Sequence, residues 1–245
     1  MVTIPGIHAV KHALQSGAPI QNLTIEKGKH HARLDELIDL AKKAHVRVTF
    51  APRQTLDRMA DDTPHQGVVA TMMKAPQADF DVWLQGLDME KRPSVLLLDC
   101  ITDPHNLGAC IRSAEASGCA GVIIPRDRSA PLSPTVAKAA SGAMHRLPVL
   151  RVTNLVRAMD QLQQHGFWLV GLAGETPTPL HQADLTCSVG IVMGSEGKGL
   201  RPLVRKQCDL LAKIPMQGAM ESLNVSVAAG IALYEAQRQR LSGKV

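Results

Sequence analysis

Residues that could do chemistry are concentrated in three polar segments of this chain, each of which follows an apolar run. The first covers residues 103–112, where a polar turn leads into a helical pattern that Asn106 is expected to cap. Gly108 permits close packing, and Arg112 lies on the opening turns of the helix. The same residues can be explained by structure alone, as the start of a helix that carries an arginine on its surface. The segment is also a candidate site, because ligands of open α/β sheets bind just after strands.

The second and third segments have the same position relative to their apolar runs. Three glycines lie within residues 194–199, where they let backbone N–H groups approach a ligand. This loop is not a phosphate-binding P-loop, because Lys198 is followed by glycine rather than serine or threonine. Residues 216–230 form a polar turn and the start of a long helix, which Ser222 or Asn224 is expected to cap. Taken alone, these segments are also consistent with a tight loop and a well-formed helix start.

Composition and the remaining motifs narrow the class of protein. No Ser-His-Asp arrangement and no carboxylate pair has a diagnostic spacing, so hydrolytic chemistry is not indicated. The five cysteines lack C-x-x-C spacing, which predicts buried thiols and neither a metal site nor a disulfide framework. The net charge of +5 is compatible with a polyanionic partner, while 2% aromatic residues argue against base-stacking surfaces. Apolar runs are far shorter than the roughly 20 residues that cross a bilayer. We therefore expect a soluble, cytoplasmic protein that does not associate with membranes.

The pattern of the 245 residues predicts two α/β domains. Residues 1–74 form a small one, residues 75–92 are linker-like, and residues 93–245 form the second. The predicted helices cover residues 7–14, 34–44, 107–117, 133–143, 155–164, 201–206 and 223–240. The predicted strands cover residues 23–26, 46–50, 67–71, 94–99, 121–125, 167–172, 188–193 and 210–214. This alternation predicts a mostly parallel sheet covered by helices, with Val227, Ile231 and Tyr234 on the inner side of the last helix.

Taken together and in this order, the three segments resemble the signature motifs of the SpoU/TrmH branch of the SPOUT methyltransferases. The motifs read N-x-G-x-x-x-R at residues 106–112, G-S-E-G-x-G at residues 194–199 and S-L-N-V-S at residues 222–226. The resemblance covers essentially the whole chain, because residues 6–10 and 65–70 are similar to the extra N-terminal RNA-binding domain of one branch. Counting strands and helices favours an ordinary doubly wound sheet. The resemblance implies instead a C-terminal trefoil knot.

The same resemblance implies a function. It predicts 2′-O-methylation of a guanosine ribose in bacterial 23S ribosomal RNA, dependent on S-adenosyl-L-methionine, by a homodimer that pairs through the knotted domain. Two alternatives remain open, namely the same chemistry on transfer RNA and a non-catalytic RNA-binding protein. A third, a nucleotide-dependent dehydrogenase, lacks its glycine fingerprint in this sequence.

Roles for the site residues also follow from the resemblance. Arg112 is expected to stabilise developing alkoxide charge or to hold the neighbouring phosphate. Asn106 is expected to orient Arg112 or the ribose, and Glu196 to position the substrate or the loops. Ser222 and Asn224 are expected to organise the site. The residues predicted to bind the cofactor are Gly194, Ile214 and Leu223 through backbone groups, with Leu172, Gly174 and Met216 as nearby walls.

Overall fold

The computed structural model describes residues 2–15, 20–29, 32–61, 63–72 and 79–242. The chain divides into two compact units, Met1–Pro76 and Gln77–Val245. The second unit begins with a short helix inside the stretch that looked linker-like. Asp79 is the N-cap of this helix, because its side chain accepts hydrogen bonds from the backbone N–H groups of Asp81 and Val82. Leu84 of the same helix is buried in the core of the second unit. Residues 73–78 lie outside the described residues.

The first unit is built on a four-stranded sheet in the order β1-β4-β2-β3, in which β4 runs antiparallel to β1 and β2, and β2 is parallel to β3. Its elements are β1 (Val2–Pro5), α1 (Ile7–Gln15), β2 (Ile20–Glu26), α2 (Ala32–Lys43), β3 (Arg47–Ala51), α3 (Arg53–Met59) and β4 (Val68–Met72). Val10, Leu23 and Leu37 are among the fully buried residues of its core. The five predicted elements are confirmed. The sequence does not predict β1 and α3, because both are short and α3 buries only Leu56.

The second unit contains a six-stranded parallel sheet in the order β10-β8-β9-β5-β6-β7. Its elements are α4 (Phe80–Gln85), β5 (Ser94–Leu98), α5 (Pro104–Ala116), β6 (Gly121–Pro125), α6 (Pro134–Ala139), β7 (Val149–Val152), α7 (Leu155–Gln164), β8 (Trp168–Leu172), β9 (Val189–Met193), α8 (Pro202–Gln207), β10 (Leu210–Ala212) and α9 (Val225–Ser242). The predicted parallel sheet is confirmed. Strand order reverses between the neighbours β5 and β9, and open sheets bind ligands at such a point.

Helices cover both faces of this sheet, so successive residues of a strand point alternately into two hydrophobic cores, one on each face. Leu96 and Leu98 of β5 belong to the core that contains the buried residues of α5 and α9. Val95 and Leu97 belong to the opposite core, which contains those of α7. None of the helices among the described residues is both long and apolar enough to cross a membrane.

The orientation of α9 differs from the prediction. Val227, Ile231 and Tyr234 were expected inside, but their exposed fractions are 51%, 40% and 53%. The buried residues of α9 are Val225, Ala229, Ala232, Leu233 and Ala236. Mostly small side chains thus face the sheet and α5, because these elements pack closely. The strand β7 was also not predicted, since its four residues alternate only between half-buried and buried.

Candidate active site

Helix α5 begins at the polar turn after β5, and its first residue differs from the prediction. Asp103 is the N-cap, and its Oδ1 accepts a hydrogen bond from the Asn106 backbone N–H at 2.9 Å. Pro104 follows in the first turn, where its missing N–H costs nothing. The prediction of Asn106 as the cap is therefore wrong. Its side chain, which lies inside the first turn, is free for other partners.

Gly108 of the first motif serves helix packing. A Cβ at this position would lie 2.5 Å from the Ala139 Cβ and 2.7 Å from the Val136 carbonyl oxygen, both in α6. Real Cβ atoms do not approach other atoms so closely, so only glycine allows α5 and α6 to pack at this distance. The glycine of the motif therefore has a structural role in the packing of α5 against α6.

The 194–199 loop after β9 folds back on itself. Ser195 and Gly199 exchange two backbone hydrogen bonds of 3.1 and 2.9 Å, and Gly197 and Gly199 have φ angles of 77° and 63°. A Cβ on Gly194 would lie 2.1 Å from the carbonyl carbon of Gly199. The glycines are thus required by the turn itself. The turn leaves Glu196 exposed on its outer side.

Glu196 joins the three motifs through side-chain hydrogen bonds. Its Oε1 accepts hydrogen bonds from Asn106 Nδ2 at 2.9 Å and from Asn224 Nδ2 at 2.8 Å. Asn224 Nδ2 also donates to Asn106 Oδ1 at 3.0 Å. Residues far apart in the chain therefore meet where β5 and β9 end and α9 begins. We refer to these three residues as the Asn106–Glu196–Asn224 cluster.

Asn224 has a second role at the start of α9. Its Oδ1 accepts hydrogen bonds from the Ser226 backbone N–H at 2.9 Å and from the Ser226 Oγ at 2.6 Å. This is the geometry of a helix cap. Of the two residues proposed as the cap, Asn224 therefore fills the role, and one amide both starts α9 and joins the cluster.

Two of the five predicted catalytic residues lie outside this cluster. Arg112 is exposed on α5, six residues after Asn106, which is about 9 Å farther along the helix axis. Within the described part of the chain, neither Arg112 nor Ser222 makes a side-chain hydrogen bond or an ion pair. The contact by which Asn106 was expected to orient Arg112 is therefore not formed. The Arg112 guanidinium keeps all its donors for a ligand.

An ion pair with a buried carboxylate fixes the end of the 194–199 loop to the sheet. Asp99 follows β5 and is fully buried, and its Oδ1 accepts a hydrogen bond from Arg201 Nε at 2.7 Å and lies 2.6 Å from Arg201 Nη2. The Oδ2 atom accepts the Arg201 backbone N–H at 3.0 Å. The hydrogen bond to Asp99 raises the pKa of the Arg201 guanidinium. Sequence analysis missed this pair, although an acid that ends an apolar strand is a signal that could have revealed it.

Cysteine chemistry is not indicated beside the cluster. Cys110 lies on the buried side of α5, and burial raises the pKa of its thiol to about 12, with a further contribution from the charge of Glu196. The thiolate is the nucleophilic form of cysteine. At neutral pH this thiol is therefore protonated and unreactive.

The predicted cofactor residues lie at the carboxyl ends of three neighbouring parallel strands. They are Leu172 at the end of β8, Gly174 after it, Gly194 after β9, and Ile214 and Met216 after β10; the remaining one, Leu223, comes shortly before α9. Among the described residues, no hydrogen bond engages the backbone N–H or C=O of Gly194, Ile214 or Leu223. A ligand at this edge, which we call the cofactor edge, would therefore meet apolar side chains and unpaired main-chain groups.

Comparison with known proteins identifies the family. Residues 93–234 match the SpoU rRNA Methylase family, and residues 3–78 match the family described as RNA 2′-O ribose methyltransferase substrate binding. The chain belongs to the SpoU rRNA methylase family. This SpoU methylase is 46% identical to the 23S rRNA (guanosine-2′-O-)-methyltransferase RlmB of Vibrio vulnificus (strain CMCP6), over 98% of each chain. It is 47% identical to the RlmB of Shewanella oneidensis, over 97% of each chain.

Solved structures share the fold of this SpoU methylase. The SpoU methyltransferase AviRb from Streptomyces viridochromogenes superimposes with a TM-score of 0.74 and 28% identity, covering 98% of this chain and 90% of that chain. A second structure of AviRb, in complex with the cofactor AdoMet, has the same TM-score and identity. The family inferred from the motifs and the α/β architecture predicted from the alternation of strands and helices are thus confirmed.

Proposed function

We propose that this SpoU methylase transfers the methyl group of S-adenosyl-L-methionine to the ribose 2′-hydroxyl of a guanosine in 23S ribosomal RNA. The observation that carries the proposal is the Asn106–Glu196–Asn224 cluster, which gathers the three motifs beside the cofactor edge. Similarity to RlmB proteins over nearly the whole chain supports a guanosine of 23S ribosomal RNA as the target.

The residues at the cofactor edge fit the methyl donor. Bound S-adenosylmethionine supplies an electrophilic methyl group on a positively charged sulfur. The unpaired backbone groups of Gly194, Ile214 and Leu223 are available to hold its polar atoms, and the half-buried Leu172 offers apolar surface to its adenine. Beside Leu172, a Cβ at Gly174 would meet no atom within 4 Å, so this part of the edge is open.

The remaining residues act on the RNA. The 2′-hydroxyl must be oriented and must lose its proton as the methyl group is transferred. A guanidinium is protonated at neutral pH, so Arg112 is a poor base and a good partner for the alkoxide or an adjoining phosphate. The proton passes to a phosphate oxygen or to water. Glu196 uses Oε1 within the cluster, and its Oε2, which has no hydrogen bond to a described residue, can accept one from the nucleotide. The role of Ser222 in organising the site stays a prediction, since its side chain makes no hydrogen bond to a described residue.

The activity is tested by incubating the purified full-length protein with radiolabelled S-adenosylmethionine and 23S ribosomal RNA from cells that lack the enzyme. We expect labelled 2′-O-methylguanosine in the digested RNA. Unmodified transfer RNA is assayed in parallel. Label in transfer RNA alone would overturn the proposed target, and no label in either RNA would overturn the proposed activity.

Replacing Asn224 by serine is expected to separate its two roles. A serine hydroxyl still caps α9, so the free energy of unfolding should change by less than about 1 kcal/mol. The amide that joins Asn106 and Glu196 is lost, and the resulting misplacement of the motifs should lower kcat roughly 10²-fold. Chemical denaturation and methyl-transfer kinetics measure the two effects. A variant that loses stability but keeps its activity would show that the cluster is only structural.

We further propose that the two domains have separate functions. Residues 1–74 bind the RNA and residues 93–245 carry out methyl transfer, with residues 75–92 between them. The separate family matches to residues 3–78 and 93–234 support this division. A trefoil knot in the second domain is supported by the path of α9, which follows the edge strand β10 and returns to pack against α5. Because the proposed substrate is ribosomal RNA, we also propose that the enzyme acts in the cytoplasm.

A homodimer that pairs through the second domain is supported by the exposed apolar stripe of α9. The stripe consists of Val227, Ile231, Tyr234 and Leu241, which are 51%, 40%, 53% and 61% exposed and lie on one side of the helix. Exposed apolar side chains that share one face often mark a protein–protein interaction site, which makes this face of α9 the candidate interface.

Introducing a charge into this stripe is expected to separate the subunits. The variant Ile231→Asp should sediment as a monomer because an aspartate in an apolar interface is left without a partner. The matched control is Leu203→Asp, which changes an exposed leucine of α8, in the opposite helical layer, and should leave the mass unchanged. A wild-type protein that sediments as a monomer would contradict the dimer.

A further inference from the structure

A basic groove in the first unit is not used by the methyl-transfer site. It consists of two adjoining depressions of about 570 and 410 Å³, which share Lys29 and Gln66 as walls. Arg33 lines the first depression, while Arg53 and Asp57 line the second. As far as the described residues form it, the groove therefore carries three cations and one acid.

The loop that separates the depressions is held in place before any ligand arrives. His65 is 5% exposed, and its Nδ1 accepts a hydrogen bond from the Gly67 backbone N–H at 3.1 Å. The Nε2–H must then donate to Asp57 Oδ1, at 2.8 Å. Gln66 has a φ of 55°, and its Oε1 accepts the Ile7 backbone N–H at 3.3 Å. Asp57, the acid of the groove, is thus already hydrogen-bonded to His65, and the Gln66 side chain is held in position by its hydrogen bond from Ile7.

The three cations differ in how they are held. Lys29 lies across Gly67, where an added Cβ would be 2.7 Å from Lys29 Cδ, and its Nζ lies 3.3 Å from Glu26 Oε2. Arg33 and Arg53 are exposed, and within the described part of the chain neither makes a hydrogen bond or an ion pair. Two guanidinium groups with unused donors therefore flank a fixed ammonium group. Guanidinium forms paired hydrogen bonds with phosphate, so the arrangement suits a row of negative charges.

We propose that this groove binds the sugar–phosphate backbone of the RNA substrate, with Arg33 and Arg53 each contacting a phosphate. The inference assigns residues to the RNA binding proposed for the first domain, and it rests on that function. Contact with the backbone rather than stacking on bases is indicated, because Phe50 is the only Phe, Tyr or Trp of residues 1–76 and lies on β3 outside the described lining. Sequence-tolerant stacking on aromatic rings is therefore not available here.

The test uses full-length Arg33→Gln and Arg53→Gln variants, with poly(U) and unmodified 23S ribosomal RNA as probes. Each variant should bind both RNAs roughly tenfold more weakly. Each should also lower the slope of log K against log salt concentration by about 0.7 to 1, the effect of one lost phosphate contact. Binding of S-adenosylmethionine should not change. Thermal unfolding confirms that the variants are folded, which we expect because both side chains are exposed.

Matched controls remove the same charge from the same helices. The first control is Lys43→Gln, since Lys43 lies on α2 ten residues after Arg33, about 15 Å along the helix axis. The second is Arg58→Gln, since Arg58 lies on α3 five residues after Arg53. Neither Lys43 nor Arg58 lines the groove. Wild-type affinity and salt dependence in the groove variants, or equal losses in the controls, would overturn the proposal, as would a wild-type protein that binds neither RNA. Weakened poly(U) binding in the groove variants, combined with no methylation of 23S ribosomal RNA by the wild-type protein, would support the groove and overturn the proposed substrate.

Discussion

Arg112→Ala is expected to lower kcat of methyl transfer by about 10³-fold, the upper range for removing one donor that stabilises transition-state charge. The dissociation constant of S-adenosylmethionine should stay within about twofold, because Arg112 lies on α5 while the cofactor edge is formed by β8, β9 and β10. The free energy of unfolding should change by less than about 0.5 kcal/mol, since the side chain is exposed and has no partner among the described residues. Single-turnover kinetics and calorimetric titration measure the two functional quantities.

Two further variants test whether the loss of activity is specific to Arg112 and to its guanidinium group. Arg157→Ala removes another exposed arginine, on α7 in the opposite helical layer, and should leave kcat unchanged. Arg112→Lys keeps the charge but loses the planar, forked donor geometry, so its kcat should lie between those of wild type and Arg112→Ala. Full activity of Arg112→Ala would remove this residue from the mechanism.

Arg201→Leu is expected to lower the free energy of unfolding by about 3 to 5 kcal/mol, which is the usual cost of leaving a buried charge without its partner. Asp99 has no exposed surface, and Arg201 donates two hydrogen bonds to it and places Nη2 2.6 Å from its Oδ1. In the variant Asp99 would keep only the hydrogen bond from the backbone N–H of residue 201 and the weak one from the Cys100 thiol at 3.5 Å. The 194–199 loop would also lose its attachment to β5, so methyl transfer should fall with stability. Urea denaturation followed by circular dichroism gives the free energy.

The control for this variant is Arg205→Leu, four residues further on. Arg205 pairs with Glu175, but 37% of the arginine side chain and 65% of the glutamate side chain are exposed. Water screens such a pair, so its loss should cost less than about 1 kcal/mol. Similar losses in the two variants would show that the burial of Asp99 does not determine the stability of this region.

The positions of the site segments could be predicted from the sequence, because parallel strands bring their carboxyl ends to one edge of a sheet. Asn106 and Glu196 follow β5 and β9, which are neighbours, and this adjacency places the two residues within hydrogen-bonding distance. Their actual contacts could not be predicted. Two capping residues, Asp103 and Asn106, stand in the same turn, and only the structure shows that the first caps α5 and so leaves the second for the cluster.

Other features depend on tertiary contacts that local patterns do not contain. Asp99 and Arg201 are 102 positions apart, and nothing near either residue specifies the other. In α9, helical periodicity defines an apolar face with Val227 and Ile231 and another with Ala229 and Leu233. Larger side chains made the first face the better candidate for burial. The close approach of α5 selects the second, because small residues fit there.

The position of Asn224 has a consequence for when the enzyme becomes competent during its synthesis. A ribosome that has released β5 through β10 has supplied Asn106 and Glu196, but the amide that connects them belongs to the residue before α9. That amide is oriented by hydrogen bonds from Ser226, which lies in the first turn of α9. A single helical turn is not stable alone, so these contacts form only when more of α9 is folded. A nascent chain therefore has no complete Asn106–Glu196–Asn224 cluster until α9 has been synthesised and has folded onto α5.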